Sequence, residues 1–344
     1  MEEYDNMSSN KQKKEVVVLG AGSWGMTLAI HLFKKGHKIR LWEFSQERVA
    51  SLLSKRENIW FLPGITIPED IFITSNIDEA CQKAEVVIVA IPSHTVREVV
   101  THLVGHLEEG AIIISVVKGL EEKTSMRPSQ IIEEILGGWQ IGVLSGPSHA
   151  EEVSREIPTT VVASSVQKEI SASIQHLFIT PNFRVYTNED LIGVELGGAL
   201  KNIIAIAAGI SDGLGFGDNT KAALLTRGLT EMTRLGVAMG AKSQTFAGLS
   251  GMGDLIVTCI SKFSRNRHLG EMIGRGITLK EALKKMVMVA EGIRTTKAAS
   301  EMAKFYGVEL PITEEVFKVL FEGKSPREAV SELMLREPKP EIFG

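Results

Sequence analysis

From residue 15 onward the chain alternates short apolar runs rich in β-branched residues with stretches whose apolar positions recur at helical spacing. The runs at 15–20, 38–43, 86–91, 111–117, 141–145 and 159–164 are almost continuously apolar, as parallel strands covered on both faces should be. Between them, segments 24–35, 46–53, 77–83, 95–107 and 129–136 carry the helical period. This alternation predicts an α/β fold with a doubly wound sheet. Beyond about residue 190 the β-branched runs stop, and Ala, Leu, Met, Gly and Lys dominate at helical spacing. Thr278-Leu-Lys-Glu281 and Ser325-Pro-Arg-Glu328 both have capping-box form, the second with proline at the first helical position. The pattern thus predicts a sheet domain over 15–190 and an all-helical domain over 191–344, preceded by a disordered polar tail over 1–14.

A chain of 344 residues exceeds one ordinary compact core, which agrees with two domains. Its 44% hydrophobic and 23% charged content is that of a globular protein, and its net charge of −4 gives no general attraction to nucleic acid or anionic membrane. An anionic ligand must then be held by local positive groups. The N-terminal residues have no apolar core of a signal peptide. The longest apolar helical stretch, near 191–210, is interrupted by Glu195 and Lys201, and no membrane span is expected. Cys81 and Cys259 form no C-x-x-C pair and read as free buried thiols in a reducing cytoplasm. No metal site is expected.

The residues 16–25, Val-Val-Val-Leu-Gly-Ala-Gly-Ser-Trp-Gly, fit G-x-G-x-x-G at the junction of a strand and a helix. Gly20 allows the tight turn, Gly22 lets the backbone approach a pyrophosphate, and Gly25 lets the helix pack closely. The helix N-terminus then offers free N–H groups to the phosphates. Glu43 ends the second strand, where a carboxylate either accepts from the adenosine ribose hydroxyls or is simply a solvated strand end. The first reading repels a 2′-phosphate, and Phe44 follows where a cation would favour one. NAD or NADP is the expected cofactor, with NAD favoured.

Polar residues in apolar surroundings mark the chemistry. Lys118 follows the run 111–117, at the carboxyl end of a strand, where open α/β sheets place ligands. Lys201 lies inside an apolar helical stretch and either snorkels or is buried with a task. A desolvated lysine near a second cation has a lowered pKa suited to proton transfer. Lys201 fits that part, with Lys118 as neighbour and Asp254 as the carboxylate orienting both. Arg265 and Asn266, in Ser264-Arg-Asn-Arg-His268, offer donors to a phosphate.

The segments GAGSWG (20–25), VKGLE (117–121), SGPSHA (145–150), the lysine-centred stretch 197–224, GMGDLIVTC (251–259), SRNR (264–267) and EGIRTT (291–296) resemble NAD(P)-dependent glycerol-3-phosphate dehydrogenases of the soluble bacterial type, over about 15–334. The resemblance implies a Rossmann-like NAD(P)-binding domain and a helical catalytic domain. It implies interconversion of dihydroxyacetone phosphate and sn-glycerol 3-phosphate, the precursor for phospholipid synthesis. It makes Lys201 the proton donor and acceptor, completed by Lys118 and Asp254, with Asn202 and Thr258 as further contacts. Ser264, Arg265 and Asn266 hold the phosphate, and Gly146 and Ser148 line the substrate pocket. Ser23, Trp24, Ala150, Val289 and Glu291 meet the cofactor beside Gly20, Gly22, Gly25, Glu43, Phe44, Lys118 and Arg265. A cytoplasmic homodimer is expected. Many bacterial members carry a basic residue near Phe44, whereas Glu43-Phe44 is closer to the NAD-using eukaryotic type; position 61 is Phe where relatives often have tyrosine. A 6-phosphogluconate-type dehydrogenase lacks the Lys201 and SRNR segments, and a non-catalytic dinucleotide sensor would need neither lysine.

Overall fold

The computed structural model describes residues 13–338, 340 and 341. The disordered tail expected over 1–14 therefore falls, for residues 1–12, outside the described residues. Lys14 is already docked: its N–H donates to Nδ1 of His37 at 3.3 Å and its carbonyl accepts from the N–H of Lys38 at 3.0 Å.

In chain order the strands are β1 (Glu15–Leu19), β2 (Lys38–Trp42), β3 (Glu57–Asn58), β4 (Leu62–Thr66), β5 (Phe72–Thr74), β6 (Val86–Val89), β7 (Ile112–Ser115), β8 (Gln140–Ser145), β9 (Thr159–Ser164) and β10 (Phe183–Asn188). β3 and β4 form a small antiparallel hairpin, and the other eight described strands form one sheet in the order β10-β9-β8-β7-β6-β1-β2-β5. From β8 to β5 every pairing is parallel. The helices α1 (Ser23–Lys34), α2 (Gln46–Lys55), α3 (Ile77–Cys81), α4 (Val96–Thr101), α5 (Pro128–Leu136), α6 (Ala150–Val153) and α7 (Lys168–Phe178) connect these strands. Side chains alternate across a strand, so Val16 and Val18 enter one core with Leu28 and Leu32 of α1. Val17 and Leu19 enter the opposite one with Val96 and Val100 of α4. Both faces are covered, which explains the unbroken apolar runs.

The run 159–164 departs from expectation. β9 pairs antiparallel with β8, and β10 is parallel to β9. Continuous apolar character reports burial on two faces and carries no information on direction. β5, β10 and α7 were not anticipated, and neither was the β3–β4 hairpin. The helix expected over 95–107 is a 3₁₀ turn, Ser93–Thr95, followed by α4 and then by turns.

After Asn188 the described elements are helical: α8 (Leu191–Gly213), α9 (Asp218–Ala238), α10 (Ser243–Phe246), α11 (Asp254–Ile260), α12 (Arg265–Gly274), α13 (Leu279–Lys285), α14 (Gly292–Tyr306), α15 (Pro311–Phe321) and α16 (Pro326–Met334). α8 is long and apolar enough to cross a membrane, yet 89% of its most apolar window is buried inside the fold. It forms the axis of a core with Met232 and Leu235 of α9, Leu255 of α11 and Leu269 of α12. Its contact with α12 is backbone to backbone, since a Cβ on Gly209 would lie 1.9 Å from the carbonyl oxygen of Arg267. That close approach sets the first turn of α12 against the C-terminal half of α8. At the start of α13, Thr278 and Glu281 form the expected reciprocal capping box. At the start of α16 the expected box is half made: Ser325 accepts from the N–H of Glu328, with no bond returned.

Candidate active site

The loop between β1 and α1 is built around glycine. Gly20 has φ of +108°, and a Cβ there would meet the carbonyl oxygen of Ala90 at 2.5 Å. A Cβ on Gly25 would lie 2.0 Å from the carbonyl oxygen of Gly20, whereas around Gly22 nothing comes within 4 Å. α1 has no side-chain cap, and the Trp24 indole N–H is buried without a hydrogen-bond partner. Open space, free helical N–H groups and an orphaned donor fit a dinucleotide pyrophosphate. Ser23 opens α1, and Ala150 opens α6, where its carbonyl lies 3.4 Å from Oγ1 of Thr27 on α1.

Glu43 lies just past β2 and is buried. Its Oε1 accepts from the N–H of Ser45 at 3.2 Å and faces the guanidinium of Arg48 at 3.6 Å. Arg48 also stacks 5.0 Å above the ring centroid of Phe61. Phe44 is 79% exposed, and Val289, in the segment before α14, is also exposed. Glu291 from that segment reaches the loop after β6, where its carboxylate accepts from the N–H of Ser93 at 2.9 Å and from Oγ of Ser93 at 2.5 Å. Sequence reasoning missed Ser93. The signal available was a small polar residue just beyond the carboxyl end of a buried strand.

Lys118 stands in the loop after β7, Gly146 and Ser148 in the loop after β8, and Lys201 in the middle of α8. Asp254 opens α11, with Thr258 one turn on. The fold closes these around one carboxylate. Lys118 Nζ donates to Oδ2 of Asp254 at 2.8 Å, and Lys201 Nζ to Oδ1 at 2.9 Å. Lys118 also donates to the carbonyl of Gly146 at 2.8 Å and to Oγ of Ser148 at 3.3 Å. Lys201 also donates to Oγ1 of Thr258 at 2.6 Å. An ammonium group has three donors. Among the described residues, those of Lys118 are therefore all engaged, while Lys201 keeps one to spare.

Burial would raise the Asp254 pKa, but the two ammonium groups outweigh it and hold the carboxyl below its ordinary value. Burial drives the Lys201 pKa down to about 8; Asp254 opposes this and Lys118 reinforces it. His149, not singled out from sequence, lies near the cluster. Burial, then Lys201 and Lys118, push its pKa down to about 4, and its Nε2 is buried without a hydrogen-bond partner. A neutral imidazole results.

Ser264 caps α12 by accepting from the N–H of Arg267 at 3.2 Å, and Arg265 is its first helical residue. Among the described residues, Arg265 has no carboxylate within ion-pair distance, and its Nη1 lies 4.0 Å from Sδ of Met288. Asn266 is turned inward: Nδ2 donates to Oδ1 of Asn202 at 2.8 Å, and Oδ1 accepts from the N–H of Gly292 at 2.9 Å. Asn202 in turn donates to the carbonyl of Lys118 at 2.9 Å. The two amides thus form a strut from the Lys118 loop to the starts of α12 and α14. Among the described residues no group of His, Cys, Asp and Glu side chains could hold a metal ion.

Two family models match the chain: the N-terminus of NAD-dependent glycerol-3-phosphate dehydrogenase over residues 15–171, and the C-terminus of the same family over residues 190–331. The chain belongs to the NAD-dependent glycerol-3-phosphate dehydrogenase family. A Thermoanaerobacter sp. relative named glycerol-3-phosphate dehydrogenase, NAD(P)+, is 51% identical over 96% of this chain and 99% of its own. A relative of the same name from Fusobacterium nucleatum is 52% identical over 95% of this chain and 98% of its own. The crystal structure of glycerol-3-phosphate dehydrogenase from Coxiella burnetii superposes with a TM-score of 0.91 at 38% identity, covering 94% of this chain and 99% of that one. In this member of the family the glycine loop, Ser93, Lys118 and Gly146 follow the carboxyl ends of β1, β6, β7 and β8, which are neighbours in the sheet.

Proposed function

We propose that this NAD(P)-dependent glycerol-3-phosphate dehydrogenase reduces dihydroxyacetone phosphate to sn-glycerol 3-phosphate, reversibly, at the Lys118–Asp254–Lys201 cluster. The observation that carries the reading is the shared carboxylate, with one lysine on each oxygen of Asp254 and a spare donor on Lys201 alone. Bound NAD(P)H supplies the hydride. Lys201 gives its spare proton to the developing alkoxide and takes it back in the reverse direction. Its pKa of about 8 matches that exchange near neutral pH. Asp254 and Thr258 aim the ammonium group, and Lys118, fully engaged, fixes the carboxylate and lends positive charge to the substrate side.

Arg265 binds the substrate phosphate, helped by the N-terminus of α12 and flanked by Ser264; its lack of a carboxylate partner supports this. The inward-facing Asn202 and Asn266 act chiefly as a framework for that end, and Gly146 and Ser148 line the pocket beside Lys118. Gly20, Gly22, Ser23, Trp24 and Gly25 would hold the cofactor, with Ala150, Glu291, Lys118 and Arg265 as further contacts. Glu43 favours NAD over NADP. In this reading the chain divides near residue 190 into a nucleotide-binding part and a catalytic part. It acts in the cytoplasm as a homodimer, and its product feeds glycerophospholipid synthesis. Sedimentation equilibrium checks the dimer. The reaction is tested by following NADH absorbance with dihydroxyacetone phosphate and identifying the product. NADH oxidation that does not depend on dihydroxyacetone phosphate would remove the reading.

A further inference from the structure

Glu195 interrupts the apolar surface of α8 and takes no part in the chemistry above, yet its side chain is 3% exposed. Its Oε1 accepts from the N–H of Ser129 at 2.9 Å. Its Oε2 accepts from Oγ of Ser129 at 2.5 Å and from Nη1 of Arg127. Arg127 is itself buried, stands at the N-cap position of α5, and donates to Oγ of Ser129 at 2.8 Å. Arg127 and Ser129 stand at the far end of the segment that leaves β7 and carries Lys118.

Positions 195, 198 and 202 lie on one face of α8, being three and four residues apart. All three meet the Lys118 segment. At 198, a Cβ in place of glycine would clash with Oγ of Ser145 at 2.7 Å and would lie in van der Waals contact with Cγ of Lys118 at 3.5 Å, so the lysine stem runs beside this turn of the helix. At 202, the asparagine amide holds the Lys118 carbonyl. At 195, the carboxylate grips the segment's distal end. A buried ion pair is a poor device for stability alone, because apolar residues of similar volume often serve as well or better. What three charge-assisted bonds to one carboxylate do supply is a single register between two elements.

We propose that Glu195 is a positioning residue: through Arg127 and Ser129 it seats the Lys118 segment on α8, so that Lys118 meets Asp254 on the oxygen opposite Lys201. The proposal rests on the reading of Lys118, Asp254 and Lys201 as the reaction centre. The test is a double-mutant cycle on the full-length chain, comparing wild type, Glu195→Gln, Lys118→Met and the double variant. Glu195→Gln keeps the side-chain shape but turns an amide donor toward Arg127 and Ser129. Its NADH affinity should stay within about twofold, while catalytic efficiency with dihydroxyacetone phosphate falls about tenfold or more. In the Lys118→Met background the same substitution should cost nothing further.

A second readout separates positioning from loss of fold. Lys201 is faced by Asp254, Lys118, Cys259 and the neutral His149, and the ammonium of Lys118 helps keep it acidic. Displacing Lys118 should therefore move the Lys201 limb of the kcat–pH profile upward in Glu195→Gln. If that variant does not fold, Ser129→Ala removes one strut and should give the same signature at smaller size. Losses that multiply in the double variant, or an unmoved pH limb, overturn the proposal while the reaction centre stands. A Lys118→Met enzyme as efficient as wild type overturns the reaction-centre reading and this proposal together.

Discussion

Lys201 donates to Oδ1 of Asp254 at 2.9 Å, joining the middle of α8 to the first residue of α11 across 53 positions of sequence. The pair has an electrostatic consequence in each direction. The ammonium helps keep the carboxylate ionised in a buried place, and the carboxylate keeps a desolvated lysine partly protonated near neutral pH.

Lys201→Ala removes the spare donor. Turnover in the reducing direction should fall by about 10²–10⁴-fold, the range for loss of a positioned general acid, with NADH binding nearly unchanged. Steady-state kinetics and a fluorescence titration of NADH check both parts. Near-normal turnover would exclude Lys201 as the acid.

The pH dependence has a definite sign. Reduction needs the protonated lysine and oxidation the neutral one. With the Lys201 pKa at about 8, kcat for reduction should fall as pH rises through about 8, and kcat for oxidation should rise there. Profiles measured in both directions on one preparation decide this, and limbs that do not mirror each other would contradict it.

Asp254→Asn should act twice. Asp254 raises the Lys201 pKa against the lowering effect of burial, so its loss moves the reducing limb below about 8. It also leaves the buried Lys201 and the half-buried Lys118 without their shared counter-charge, and breaking a buried pair costs about 3–5 kcal/mol. Because the folded Asp254 pKa is lowered, its ionised form stabilises the protein above the unfolded carboxylate range, and that share is lost as pH falls through the folded value. Thermal melts should therefore show a deficit for Asp254→Asn at pH 7 that narrows in acid.

Arg265→Ala should remove a charge-assisted contact worth about 1.5–3 kcal/mol. Catalytic efficiency with dihydroxyacetone phosphate then falls by about ten- to a hundredfold, while the poor activity with unphosphorylated dihydroxyacetone hardly changes. Equal losses on both would remove the phosphate role.

NADH should be used more efficiently than NADPH, because a 2′-phosphate would sit beside the Glu43 carboxylate in a partly wet groove. Arg48, 3.6 Å from Glu43 and stacked on Phe61, is the cation that carboxylate holds. Glu43→Ala frees it and should raise NADPH efficiency, and Arg48→Ala added to Glu43→Ala should cancel that gain. Equal use of both cofactors by the unmodified enzyme contradicts the preference, whereas an unchanged ratio in Glu43→Ala leaves the preference but removes Glu43 as its cause.

The α/β class, the glycine loop and the long buried helix were legible because each rests on local pattern. Alternating runs report burial, and Gly20, Gly22 and Gly25 report backbone geometry within six residues. Lys201 stood out because a charge inside an apolar helix is conspicuous wherever the helix packs. The strand reversal at β9 was not legible, since apolar burial looks alike in either direction. Ser93 and His149 were not legible either, being ordinary polar residues whose significance lies in what they face. Arg48 lay in plain view on α2, but nothing in its neighbours said that it would turn back to Glu43.

The sequence by itself determined six of the sheet's eight described strands, the phosphate-approach loop and the residue types able to move a proton. Only the tertiary structure decided how the two lysines are held. Lys118 and Lys201 are alike as residues, and their difference arises where chain segments distant in sequence converge. The carbonyl of Gly146, Oγ of Ser148 and Oδ2 of Asp254 use up the donors of Lys118, while Thr258 and Oδ1 of Asp254 take two of those of Lys201 and, among the described residues, leave the third over. Hydrogen-bond saturation and desolvation are properties of a packed environment, and that environment exists only once the sheet domain and the helices have closed on Asp254.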